Sequence, residues 1–141
     1  MLKTLLWGGE ILEDWKIKLS VLWLLSEIAF LGTMVLGSLE PNALQQFLNT
    51  GEIGGMKMTP ELLLLYAILV LLGLAMAFLT LTLKDSINRW VNIILGTAGV
   101  VLSIVGLSGS LAYAYSILMW VSKLVIDVLI VWYAWKSKPK A

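Results

Sequence analysis

The chain has 141 residues, of which 60% are hydrophobic and only 13% charged, giving a formal net charge of +1. Soluble domains carry about a quarter charged residues, so this chain has too little charge to cover its apolar content in water, and it reads as a membrane protein with the lipid bilayer as its first partner. The near-neutral balance excludes nucleic-acid binding by phosphate neutralisation. The absence of cysteine and histidine removes disulfides, thiolate nucleophiles, the commonest general base and the commonest transition-metal ligand. No enzymatic activity, cofactor or metal is expected.

Residues 1–18 form an N-terminal segment in which Glu10, Glu13 and Asp14 interrupt any continuous apolar core, so it does not read as a cleavable signal peptide. Leu2, Leu5, Leu6 and Trp7 would lie on the bilayer face or belong to a disordered leader. A helix crossing the hydrocarbon needs about 20 mostly apolar residues, and four stretches qualify: Leu19–Leu39, Leu62–Leu83, Trp90–Leu111 and Tyr113–Trp135. The expected fold is therefore all-α, an integral membrane four-helix bundle over 19–135 followed by a basic tail over 136–141, without internal repeats.

Orientation follows from the basic residues. Lys3, Lys16, Lys18, Lys84, Arg89, Lys136, Lys138 and Lys140 fall on one side of the four spans, against Lys57 alone on the other. The positive-inside rule places both termini in the cytoplasm, and Trp15, Trp90, Trp132 and Trp135 fall at the same interface, where indole rings anchor. The first loop, Glu40–Thr59, is long enough to hold structure. Glu40-Pro41 reads as an N-cap followed by proline at the first helical position, with Leu44, Phe47 and Leu48 lining one face of a short interfacial helix. Thr50–Gly55 breaks that helix, and Thr59-Pro60-Glu61 caps the second span. The second and third spans are joined through Lys84–Arg89, the third and fourth by a shorter turn around Ser108-Gly109-Ser110.

Several strings resemble those of a family of small prokaryotic four-span membrane proteins of unknown function. They are Lys16-Ile17-Lys18-Leu19-Ser20 with Leu22-Trp23, Gly54-Gly55-Met56-Lys57-Met58-Thr59, Asn88-Arg89-Trp90-Val91-Asn92-Ile93-Ile94 and Trp132-Tyr133-Ala134-Trp135-Lys136. The similarity runs from Lys16 to Lys136, and residues 1–15 depart from the pattern. The resemblance implies the four-span topology and the cell (plasma) membrane of a prokaryote; it implies no activity and no functional residues.

Glu27 lies nine residues past Lys18, ~13 Å along a helix and close to mid-bilayer. Lys123 and Asp127 bracket the middle of the fourth span and share a helix face. A charge at that depth costs about 2.5–3.5 kcal/mol on insertion scales, so three of them require mutual partners or water. The expectation is a pocket between the first and fourth spans holding Glu27, Lys123 and Asp127, with Trp23 and Trp120 beside them for cation–π contact. One ammonium for two carboxylates leaves −1, to be met by a proton, a cation or water. The alternative is that the charges only fix helix pairing. Gly96, Gly99, Ser103 and Gly106 form a small-residue stripe on the third span, suited to close helix packing within the monomer or between subunits, with Gly73 and Ala77 as a facing pair. Asn88, Arg89 and Asn92 would cap and anchor the third span or bind lipid phosphate. Gly106-Leu107-Ser108-Gly109 matches the short serine string of intramembrane proteases, but that chemistry needs a histidine.

Two functions fit these residues: a homo-oligomeric (dimeric or larger) transporter or channel-like protein using the Glu27–Lys123–Asp127 site, or a non-transporting accessory or assembly subunit of a larger membrane complex. Reporter fusions at Ala141 and Gly51 are expected to report cytoplasmic and external locations respectively. A cytoplasmic signal at Gly51 breaks the four-span reading.

Overall fold

The structure, a computed structural model, describes residues 4–7, 10–53 and 55–137. In chain order it contains strands β1 (Thr4–Trp7) and β2 (Glu10–Glu13), helices α1 (Asp14–Leu39) and α2 (Pro41–Thr50), strands β3 (Glu52–Ile53) and β4 (Met56–Lys57), and helices α3 (Pro60–Thr82), α4 (Asp85–Ser108) and α5 (Ala114–Lys136). The helices α1, α3, α4 and α5 are each long and apolar enough to cross a membrane, which is compatible with a multi-pass membrane protein.

Helix boundaries follow local chemistry. Glu40 caps α2, its carboxylate accepting the Ala43 backbone N–H at 2.6 Å ahead of Pro41, and Gly51 ends the helix at φ +71°. That left-handed conformation suits glycine, which has no Cβ to clash. Thr59 caps α3 in the same way, accepting the Leu62 N–H at 3.3 Å. The apolar face of α2 finds no cover among the described residues: Leu44, Phe47 and Leu48 are exposed, as an interfacial helix requires.

Burial is inverted relative to a soluble bundle. Ser26, Thr80, Asn88, Asn92, Ser103 and Asp127 have no exposed surface, whereas Ile28, Leu71, Ile94, Val105 and Leu118 are more than half exposed. In water the apolar groups would be inside and most of these polar groups outside. Hydrocarbon reverses the preference, since a polar side chain has partners only inside the bundle.

Helix α1 is the centre of the bundle. It packs against α3 on one side and α5 on the other, and α5 in turn carries α4. Although α3 and α4 are consecutive, they pack against each other only thinly. Near their linked ends, Asn88 Nδ2 donates to the Thr80 carbonyl at 2.6 Å and Thr80 Oγ1 to Asn92 Oδ1 at 3.3 Å. The same asparagine accepts from Trp23 Nε1 at 2.7 Å and donates to Asn88, tying α1, α3 and α4 together.

The basic residues gather at one end of the bundle. Lys16 pairs with Asp85 at 2.6 Å and donates to the Leu83 carbonyl, while Arg89 donates to the Trp135 carbonyl at 3.2 Å. Lys18 lies over Tyr133 and Lys136 over Trp132. The start of α1, the α3–α4 link and the end of α5 therefore share this end.

Four points of the sequence reading are completed or corrected. First, residues 4–13 include a paired strand hairpin, with Thr4 opposite Glu13 and Trp7 opposite Glu10, in place of a disordered leader; Leu2, Lys138 and Lys140 lie outside the described residues. Second, the first loop adds the β3–β4 pair after α2, in which Glu52 faces Lys57. Third, the α3–α4 link is the shorter one. Asp85 already begins α4, where a carboxylate favours the helix N-terminus, leaving only Leu83 and Lys84 between the helices, whereas 109–113 separate α4 from α5. Fourth, Asn88 and Asn92 are fully buried, so they are not available to lipid phosphate. Replacing Asn92 by Ala strands the Trp23 N–H and Asn88 Oδ1, at an expected cost of about 1–3 kcal/mol. Thermal unfolding in detergent tests this, and an unchanged midpoint refutes it.

Candidate functional site

At mid-length of the bundle the charged residues separate into two unlike environments. The first is a closed polar cluster. Lys123 Nζ donates to Asp127 Oδ2 and to Ser26 Oγ, both at 2.8 Å. Ser26 Oγ donates to Asp127 Oδ1 at 2.6 Å, and Ser103 Oγ to Asp127 Oδ2 at 2.7 Å. Asp127 thus receives donors from α1, α4 and its own helix, so both carboxylate oxygens are engaged. The i to i+4 spacing on α5 places Lys123 and Asp127 one turn apart on one face, and Ser26 and Ser103 bring the flanking helices to them.

The second environment belongs to Glu27. Its side chain is only 5% exposed, and its Oε2 has no hydrogen-bond partner among the described residues. The carboxylate lies where a side chain on Gly73 would sit, so the glycine on α3 makes room for it. Glu27 lines a crevice of about 350 Å³ together with Lys123. The remaining walls are Trp23 and Phe30 from α1, Leu69 and Leu72 from α3, and Leu95, Ala98, Leu102 and Val105 from α4. Its polar groups come from α1 and α5 at the floor, and its sides are the thinly packed α3 and α4.

The structure therefore brings Glu27, Lys123 and Trp23 to one cavity and sets Asp127 and Trp120 beside it. The cavity opens along the α3–α4 seam, where the sequence pointed to a pocket between the first and fourth spans; α1 and α5 pack too closely to leave one. Lys123 is engaged by Asp127 and Ser26, with no hydrogen bond to Glu27 within the described residues. Trp120 packs edge-on against Phe30 at 6.1 Å between ring centroids, and Phe30 in turn meets Tyr66 at 6.4 Å. Trp23 directs its N–H away from the crevice, to Asn92.

The small-residue stripe faces α5 inside the chain. A side chain at Gly96 would press on Ile130 and Val131, one at Gly99 on Asp127, and one at Gly106 on the Trp120 indole, while Ser103 bonds Asp127. Gly73 and Ala77 face α1 instead of that stripe: Gly73 meets Glu27 and the Ala77 carbonyl accepts Ser20 Oγ at 2.7 Å. Sequence reasoning passed over Ser26. Its signal was present, since Ser26 adjoins Glu27 in an otherwise apolar span, but an isolated serine in a membrane helix is more often bonded to its own backbone.

These features define a class: a helical protein with four long apolar helices, a neutral ion-pair cluster at its middle and a second carboxylate left to an apolar crevice. A family model described as a family of unknown function (DUF6326) matches residues 6–140, and the chain belongs to that family. The match begins well before Lys16, so residues 6–15 share the family pattern from which they had been expected to depart. No curated protein and no solved structure matches the chain.

Gly99→Leu forces a branched side chain against the Asp127 carboxyl, whose nearest atom lies 3.1 Å from the position of the new Cβ. The expected loss is about 1–3 kcal/mol through overpacking, together with separation of α4 from α5. Unchanged thermal stability and elution volume in detergent would refute the packing role.

Proposed function

We propose that this chain is a multi-pass membrane protein with both termini cytoplasmic, acting as a homo-oligomeric carrier or channel-like protein that holds a proton or a cation at Glu27. The observation that carries the reading is the Glu27 carboxylate, buried and, among the described residues, without a hydrogen bond at Oε2 beside an apolar cavity. Lys123 and Asp127 neutralise each other at 2.8 Å, so the charge of Glu27 is the unbalanced one. A carboxylate at this depth is stable when it carries a proton or faces a cation, and exchange between the two states is the elementary step of a proton-linked carrier. The fully bonded Lys123–Asp127–Ser26–Ser103 cluster supplies the fixed frame around it. Four helices enclose too little for a complete pathway, which is why the reading includes a dimer or larger assembly.

A second reading rests on that same cluster. Because it joins α1, α4 and α5, it serves equally well to pair helices in a non-transporting accessory or assembly subunit.

Two substitutions separate the readings. Lys123→Met removes the ammonium from Asp127 and strands a buried charge partner, at an expected cost of about 3 kcal/mol. It is expected to damage folding under either reading. Glu27→Gln removes an unbalanced charge and keeps the side-chain shape, so folding and assembly are expected to stay normal. Under the carrier reading, Glu27→Gln proteoliposomes lose proton-linked flux. A folded Glu27→Gln protein that retains every flux and cation-binding activity of the parent leaves helix pairing as the role of the charges. Purification adds a direct check, because a stable homo-oligomer supports the carrier and constant co-purification of one larger partner supports the accessory subunit.

A further inference from the structure

The shape and lining of the crevice narrow the ligand class, resting on the reading of Glu27 as a cation or proton site. Three properties decide it. A volume of about 350 Å³ lies within the size range of small-molecule sites and is far larger than one ion requires. Apart from Glu27 and from Lys123, whose ammonium is held by Asp127 and Ser26, the walls are hydrocarbon and aromatic, from Leu69, Leu72, Leu95, Leu102, Val105 and Phe30. Among the oxygen atoms that could meet a cation, the lining offers the Glu27 carboxylate and no other side-chain oxygen. A small inorganic cation needs several oxygen ligands to replace its water, and these walls cannot supply them. A cation whose charge is spread over an apolar body needs one counter-charge and a hydrophobic surface, and the crevice presents that pair.

The route to the site follows from the rim. Leu72 and Val105 line the crevice and are at the same time exposed on the outer flanks of α3 and α4. Those flanks belong to two of the apolar spans, so the mouth lies at the depth of the acyl chains. The thin α3–α4 contact leaves this side of the bundle open. A ligand arriving there has already dissolved in the bilayer and needs no aqueous channel.

We infer that the crevice between α3 and α4 takes a lipophilic organic monocation, which enters sideways from the bilayer and places its charge on Glu27 and its apolar body against Phe30, Leu72 and Leu102.

The probe is tetraphenylphosphonium, with sodium and tetramethylammonium as compact cations and tetraphenylsilane as a neutral body of similar shape. Binding is measured by equilibrium dialysis on the full-length protein in phosphatidylcholine nanodiscs, after subtraction of empty discs. Protonation of Glu27 is followed separately through its carboxyl carbonyl band in difference infrared spectra. The expected result is saturable tetraphenylphosphonium binding that weakens at least about tenfold in Glu27→Gln. Ala98→Phe, which projects into the crevice from α4, is expected to weaken it similarly, and Leu118→Ala on the lipid-facing flank of α5 to leave it unchanged. Sodium and tetramethylammonium are not expected to compete. Equal binding of tetraphenylsilane, displacement by sodium at comparable concentration, or indifference to Ala98→Phe overturns the ligand class. If the Glu27 band still titrates in those cases, the proton site stands without it. A protein whose Glu27 neither titrates nor affects any cation loses both readings.

Discussion

Hydrocarbon offers no hydrogen bonds, so every polar group carried into it must find its partner inside the bundle, and this condition governs the arrangement of the whole chain. Asp127 is where it is met most completely: Lys123, Ser26 and Ser103 approach it from three helices at 2.6–2.8 Å. Satisfying that one carboxylate fixes the rotation of α1, α4 and α5 about their own axes. Gly99 lies against the same carboxyl group, so α4 can approach closely enough for Ser103 to reach it. A bulkier residue there would push the serine out of range. Nearer the linked ends of α3 and α4, the Trp23–Asn92–Asn88–Thr80 network does the same for α1, α3 and α4.

The crevice is a consequence of these two tie points. Helix α3 is held to α1 through Ser20 and the Ala77 carbonyl, and to α4 through the bonds beside the link. Farther from the link α4 follows α5, drawn by Asp127, Ile130 and Trp120 against its glycines. The two helices therefore diverge, and the space between them is lined by whatever side chains they share. Gly73 turns this gap into a polar feature, because its missing side chain admits the Glu27 carboxylate. The same glycine explains why Glu27 does not complete a triad with Lys123: its carboxylate is seated against α3, while the lysine is engaged by Asp127 and Ser26.

Much of the fold was legible in the sequence because its physics is one-dimensional. Span lengths follow from bilayer thickness, and the caps at Glu40 and Thr59 follow from nearest-neighbour chemistry. The common level of Glu27, Lys123 and Asp127 along the bundle follows from a fixed rise per residue. Their division into a pair and a lone carboxylate did not. That outcome depends on which helices are neighbours, and periodicity on α1 alone cannot tell whether Glu27 faces α3 or α5. The alternative of lipid-phosphate binding by Asn88 and Asn92 failed for a related reason. Their proximity to Lys84 and Arg89 in the chain suggested the bilayer surface, whereas the side chains turn inward onto Thr80 and Trp23. The N-terminal hairpin escaped notice because four-residue strands carry too little alternation to be told from an irregular apolar stretch.

Magnitudes favour a use for Glu27 beyond holding helices together. Polar contacts between membrane helices contribute about 0.6–2 kcal/mol each, and the Asp127 cluster and the Asn92 network already supply several among α1, α3, α4 and α5. Glu27 adds no hydrogen bond at Oε2, while an ionised carboxylate at mid-bilayer costs about 2.5–3.5 kcal/mol. An apolar side chain of similar size there would avoid that cost. The expense disappears when the carboxylate is protonated or faces a cation, so under the proposed reading the stability of this helix packing is linked to occupancy of the crevice. Linkage of that kind is reciprocal: under the proposed reading, whatever binds at Glu27 also biases how closely α3 approaches α1, and the seam between α3 and α4 is the thinnest packing between neighbouring helices of the bundle.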